Sequence, residues 1–208
     1  MSNTSYPLST IRHSAAHLMA AAIARLFKDV QFGVGPPLEN GFYYDVRLAD
    51  GATLHEEDLR RIEAMMLKIQ AEKLPFVRTE IAIDDAIKRM QDMGQSYKVE
   101  LLQLLKTKGS TAVSREVGDE LADPDATEIK EVSFYSLGDF VDLCRGPHVE
   151  HSGQTGVFKL YNIAAAFWRG DAKNDTLLRV YGLCYENNKA VRAEEKRIEE
   201  CKAFDHRK

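Results

Sequence analysis

Apolar residues at helical spacing cluster early in the chain and those at strand spacing late, with no regular βαβ alternation. That order disfavours a parallel sheet with crossover helices. It points to an α+β fold, a largely antiparallel β-sheet packed with helices. Ser9 caps a first helix to about Phe27, with Ile11, Ala15, Leu18, Ala22 and Leu26 on one face. Residues 31–48 read as β, with Asn40-Gly41 as a turn signal before Phe42-Tyr43-Tyr44-Asp45-Val46, whose alternating faces send at least one aromatic into the core. Thr53 and Glu56 have the spacing of a capping box, opening a second helix to about Lys73. A strand at 76–83, a short helix from Asp84 to Gly94 and a helical piece at 97–105 follow. Residues 106–130 turn to Gly, Ser, Asp and Glu and read as an exposed excursion. Strands are expected at 131–137, 140–143, 157–163 and 176–185, and a charged helix at 188–204.

Composition excludes some classes. The longest apolar run, Ile163 to Trp168, is far below the roughly 20 residues of a membrane-spanning helix. No signal peptide is visible at the N-terminus, and three scattered cysteines (144, 184 and 201) argue against a disulfide framework. A cytoplasmic location follows, without a membrane partner. Cys184 and Cys201 read as buried apolar fillers. The formal charge of −4 counts at first against nucleic acid. The segment 111–135 alone carries −5, however, which leaves +1 on the rest and permits a short, local contact with RNA.

The chemistry concentrates in two short pairs. His13 and His17 lie one helical turn apart, at the edge of the apolar face, and the small residues Ala20 and Ala24 farther along leave room for a cavity. Cys144-Arg145-Gly146-Pro147-His148 places a thiol and an imidazole four apart around a turn. Together His13, His17, Cys144 and His148 are a possible tetrahedral N3S set for Zn²⁺. Ser14 stands where a zincin needs Glu, and the spacing suits neither a finger nor a ribbon. The alternative is four unrelated core positions. By position alone, Lys98 reads as a solvated lysine at a helix start. Gly33-Val34-Gly35 lacks a phosphate-loop layout and Arg169-Gly170-Asp171 reads as a turn.

Six ordered segments are more specific: 13–18 (HSAAHL), 41–45 (GFYYD), 96–99 (SYKV), 141–148 (VDLCRGPH), 168–171 (WRGD) and 178–182 (LRVYG). From about residue 9 the chain resembles the editing domain of bacterial-type threonyl-tRNA synthetases, itself related to the alanyl-tRNA synthetase editing domain. The resemblance implies an editing domain at 1–187, with 188–208 a C-terminal helix leading to an aminoacylation core that is absent from this chain. It implies hydrolysis of the ester of mischarged Ser-tRNA(Thr), the partner being the 3′ acceptor end of tRNA(Thr) carrying serine. A second site is needed because one missing methyl is worth only about 1–3 kcal/mol of discrimination.

The resemblance assigns His13 and Lys98 to water activation and leaving-group protonation, in an order left open. Asp142 would hold the serine ammonium or orient a partner. Cys144, His148 and His17 would shape the pocket and order the water, while Tyr44 and Arg145 would contact substrate. The corresponding set looks like a zinc site in the alanyl branch and able to work through water in the threonyl branch, so the expectation is no obligatory cofactor, with Zn possible. Two rival readings stand beside this one: a tRNA acceptor-end binding module without activity, and a zinc-dependent hydrolase of small molecules.

Overall fold

The computed structural model describes residues 6–108 and 129–205 of the 208, with residue 108 and the last four as backbone only. The chain order is α1 (Leu8–Leu26), β1 (Gln31–Phe32), β2 (Gly41–Arg47), α2 (Glu56–Glu72), β3 (Phe76–Ala82), α3 (Ile83–Asp92) and α4 (Ser96–Lys108). After it come β4 (Glu131–Leu137), β5 (Phe140–Leu143), β6 (Val157–Phe167), β7 (Thr176–Tyr185) and α5 (Asn188–Asp205). The strands form a four-stranded sheet in the order β1-β2-β7-β6 and a three-stranded sheet in the order β3-β4-β5. Every strand pairing is antiparallel, so the α+β reading stands.

Helix α1 organises the molecule. It packs against β2 and β7 of one sheet, β4 and β5 of the other, and α2. Residues 12–23 are all buried. A helix enclosed by partners on all sides has no solvent face, so the edge position assigned to the two histidines gives way to full enclosure. The N-cap is also displaced. Helix α1 starts at Leu8, and Pro7, with φ of −55°, supplies the carbonyl that accepts from Ile11 N–H at 3.1 Å. Proline's fixed φ suits that entry, and Ser9 lies inside the first turn. At α2 the cap is His55 rather than Thr53: the Asp58 carboxylate accepts from His55 N–H at 3.0 Å.

Two apolar cores result. Helix α1 joins α2 and the inward faces of β2, β6 and β7 in the first, while α3, α4, β4 and β5 build the second together with Trp168 and Leu177. In β2 the period of two sends Phe42, Tyr44 and Val46 into the first core. Tyr43 and Asp45 turn to the other face, where Arg179 stacks on Tyr43 and pairs with Asp45 at 2.7 Å. Strand β6 runs four residues past its expected end, because Ala164 to Phe167 pair with residues 176–179 of β7. Lys106 to Lys108 belong to α4 rather than to the excursion, and residues 109–128 lie outside the described residues. Cys184 is buried as expected, whereas Cys201 is exposed, since it falls on the charged helix α5.

Candidate functional site

The polar site lies where the two cores meet. Helix α1 brings His13 and His17, and the rings stand 5.1 Å apart, edge to face. Strand β5 brings Asp142 on the face it shares with Phe140, and Cys144 continues that period. His148 arrives after the turn at Gly146-Pro147, whose peptide bond is cis. Gly146 has φ of +76°, and a Cβ there would collide with the Tyr135 hydroxyl, so this turn favours glycine.

The thiol of Cys144 lies 3.3 Å from His13 Nε2 and 3.3 Å from His148 Nε2, and Gly146 N–H donates to it at 3.2 Å. The tautomers are set by partners farther out. His13 donates a ring N–H to the Pro147 carbonyl. Ser14 spends its one hydroxyl proton on the Thr10 carbonyl at 2.8 Å and accepts from Val149 N–H at 3.0 Å. Its remaining lone pair faces His148 Nδ1 at 3.1 Å, so Nδ1 carries the proton. Both Nε2 lone pairs therefore aim at the Cys144 sulfur. The ligating atoms of His13, His17, Cys144 and His148 all lie within 4.8 Å of one another. With neutral Nε2 donors, one thiol and outer hydrogen bonds to Ser14 and Pro147, the set fits a tetrahedral zinc ion.

Beside this cluster sits a buried ion pair. Lys98 Nζ is 2.6 Å from Asp142 Oδ1, and both side chains are 4% exposed. The Tyr44 hydroxyl donates to the other carboxylate oxygen, Lys98 Nζ reaches the same hydroxyl at 3.3 Å, and His17 Nε2 is 3.7 Å from Oδ2. The solvated reading of Lys98 is thereby overturned: the first turn of α4 faces the seam between the cores. Arg145 is exposed, one residue beyond Cys144. All eight residues singled out in the sequence thus lie in or beside one region, with Tyr44 fully buried beneath it.

Burial dominates the protonation of the imidazoles. It pushes His13 from 6.5 down to about 4, against the opposing pull of Asp142 and the Pro147 carbonyl. His17 is held well below its usual value by burial, then by His13 and Lys98, and His148 by burial, then by His17 and His13. All three are neutral at pH 7, which suits them as proton acceptors or metal ligands.

A cavity of about 660 Å³ opens one turn beyond His17, lined by Ala21, Ala24, Phe32 and Phe140 among others. The Phe140 ring is 6.3 Å from His17 and the Phe32 ring 5.8 Å from Tyr44, so two aromatics stand between cavity and polar cluster. Sequence reasoning missed Ser14, noted only for not being Glu, and Gly35, where a Cβ would run into the Tyr44 ring. Neither carries a chemical signal of its own.

Residues 132–181, which hold Asp142, Cys144 and His148, match the family described as threonyl and alanyl tRNA synthetase second additional domain. Fold and site thus define a domain of the class carried by those two synthetases. Over 201 residues the chain is 43% identical to threonine–tRNA ligase 1 of Bacillus subtilis, covering 97% of this chain and 28% of that protein. It is 44% identical to the threonine–tRNA ligase of Oleidesulfovibrio alaskensis over the same length and shares. The enzyme of Marinobacter nauticus is 41% identical over 198 residues, 95% of this chain and 27% of that protein. This similarity over 97% of the chain supports a threonyl-tRNA synthetase editing-type domain, and the chain spans about 28% of the length of the first two of these relatives. Among the described residues no helix is long and apolar enough to cross a membrane.

Proposed function

We propose that this domain hydrolyses the ester joining serine to the 3′ end of tRNA(Thr), as the proofreading unit of a threonine–tRNA ligase. The observation that carries the reading is the juxtaposition of a buried Lys98–Asp142–Tyr44 network with three neutral imidazoles and a thiol. Ester hydrolysis needs a water, a proton acceptor, and a positive group at the oxygen that gains charge. His13, kept neutral by burial, takes the proton as water attacks the carbonyl carbon. Lys98 stabilises the oxyanion and returns a proton to the ribose oxygen as the carbon–oxygen bond breaks. Asp142, engaged by Lys98 and Tyr44, serves to orient Lys98 rather than to bind the serine ammonium. His17, Cys144 and His148 order the water. Arg145, exposed at the rim, meets the acceptor end, and Tyr44 supports the network from beneath.

The geometry suits zinc at His13, His17, Cys144 and His148, where the ion would act as a Lewis acid toward a water or a carbonyl. We propose that it is not obligatory. Residues 1–187 form the editing unit in this reading, and α5 leads toward the aminoacylation core, a partner outside this chain. The test is deacylation of Ser-tRNA(Thr) and Thr-tRNA(Thr) by the wild type, His13→Ala and Lys98→Ala. Release of serine but not threonine, lost in both variants, is expected. Binding without release would favour an acceptor-end module, and tRNA-independent turnover a small-molecule hydrolase. Activity that vanishes with the metal and returns with zinc would refute the water-only chemistry.

A further inference from the structure

Lys98 enters the site from the first turn of α4, and that turn is gripped from outside by the residues flanking it. Tyr97 donates its hydroxyl proton to Asp175 Oδ2 at 2.8 Å and accepts from Arg47 Nη1 at 3.2 Å. Arg47 closes the triangle on the same carboxylate at 2.6 Å. One helical turn on, the Glu100 carboxylate accepts from Trp168 Nε1 at 2.8 Å and from Arg169 Nη1 at 2.9 Å. Trp168 is the single tryptophan of the chain and only 4% exposed, and its ring lies 4.8 Å from that of Tyr97. Residues 97 and 100 are neighbours on the helix surface, while 98 is turned about 100° away. The outer pair therefore holds the β6–β7 turn while Lys98 points at Asp142.

The ion pair by itself would not hold this geometry. A lysine has a long flexible stem, and small rotations of a short helix move its tip by an ångström or more. Displacement on that scale costs about 10²-fold in rate when the group takes part in the reaction. Gln95, at the start of α4, adds a third tie, accepting from Phe32 N–H at 2.9 Å and donating to the Val30 carbonyl at 2.8 Å. That tie limits sliding along the axis. The bracket at 97 and 100 limits rotation about it.

We propose that Trp168 and Glu100 are positioning residues: the β6–β7 turn sets the rotation of α4 that delivers the Lys98 ammonium to Asp142. The proposal rests on the reading of Lys98 as a participant in ester hydrolysis. Its test uses the full 208-residue chain carrying Trp168→Phe, which keeps an aromatic ring and removes the Nε1–H, or Glu100→Gln, which removes the charge.

The first readout needs no substrate. A buried, ion-paired lysine ammonium exchanges its protons slowly and gives a resolved ¹⁵Nζ signal, assigned to Lys98 by its loss in Lys98→Met. Proton exchange at Lys98 is expected to quicken at least about tenfold in Trp168→Phe, with helix content by circular dichroism unchanged. The second readout is serine release from Ser-tRNA(Thr), where kcat falls about 10- to 100-fold and KM stays within about twofold. An unaltered Lys98 signal in both variants overturns the proposal. A changed signal with unchanged kcat instead overturns the role of Lys98 in hydrolysis. Should Trp168→Phe fail to fold, Glu100→Gln, whose side chain is 41% exposed, carries the same comparison.

Discussion

Removing one partner of the Lys98–Asp142 pair should destabilise the fold strongly, and removing both should cost far less than the sum. Nζ and Oδ1 are 2.6 Å apart with each side chain 4% exposed, so neither charge can be rescued by water. Breaking such a pair leaves a buried charge uncompensated, a cost of about 3–5 kcal/mol. In Asp142→Asn the Lys98 ammonium keeps only neutral partners such as the Tyr44 hydroxyl, and the loss belongs near the upper end of that range. In Lys98→Met the carboxylate still accepts from the Tyr44 hydroxyl, so about 3 kcal/mol is expected. The double variant buries no charge at either position and should lose about 2–3 kcal/mol, a coupling of roughly 5 kcal/mol. Urea unfolding of the four proteins, with slopes checked for equality, gives the cycle. If the single losses add to within about 0.5 kcal/mol, the two groups do not depend on one another in solution and the buried network is wrong.

Three further outcomes follow from the site. The unfolded chain binds more protons than the fold wherever the pH lies between the lowered imidazole values and 6.5. Stability of the metal-free protein should therefore be full above about pH 6.5 and fall as the pH drops; His13 alone accounts for about 3 kcal/mol by about pH 4. A urea midpoint that stays level from about pH 7.5 to 4.5 contradicts this. Ser14→Ala strands Val149 N–H and His148 Nδ1, while the Thr10 carbonyl keeps its helical bond, and should cost about 2–4 kcal/mol, read as a lowered melting temperature; a change below about 0.5 kcal/mol sinks the tautomer argument. Gly35→Ala forces the Tyr44 ring to move, and serine release should fall at least about tenfold while His13→Ala-type loss of the base is absent from its pH profile. Wild-type turnover in Gly35→Ala would mean that Tyr44 does not hold Asp142 in place.

Most elements could be located from periodicity, because amphipathic strands and helices carry their partner's position in their own pattern. Helix α1 was located that way too, but its surroundings were not. A wheel assumes one buried face, and α1 is enclosed by two sheets and α2, so its alanines and histidines pack on every side. The end of β6 was missed for a related reason: three alanines carry no alternation, and their pairing with β7 is decided by the partner strand.

The two motif pairs, separated by more than 120 residues, already named the donor atoms of the cluster, since local backbone ties each pair together. Lys98 is the opposite case. Nothing in its neighbours Tyr97 and Val99 distinguishes a solvated lysine from a buried one, and its burial comes from Asp142 and Tyr44 on other strands. The amino-acid sequence by itself determined the antiparallel α+β class and the histidine and cysteine pairs, all properties of residues close along the chain. The tertiary structure alone decided that α1 is enclosed, that three imidazoles stay neutral and that Lys98 faces Asp142. Those depend on desolvation and on contacts between distant segments, and neither quantity exists until the chain is folded.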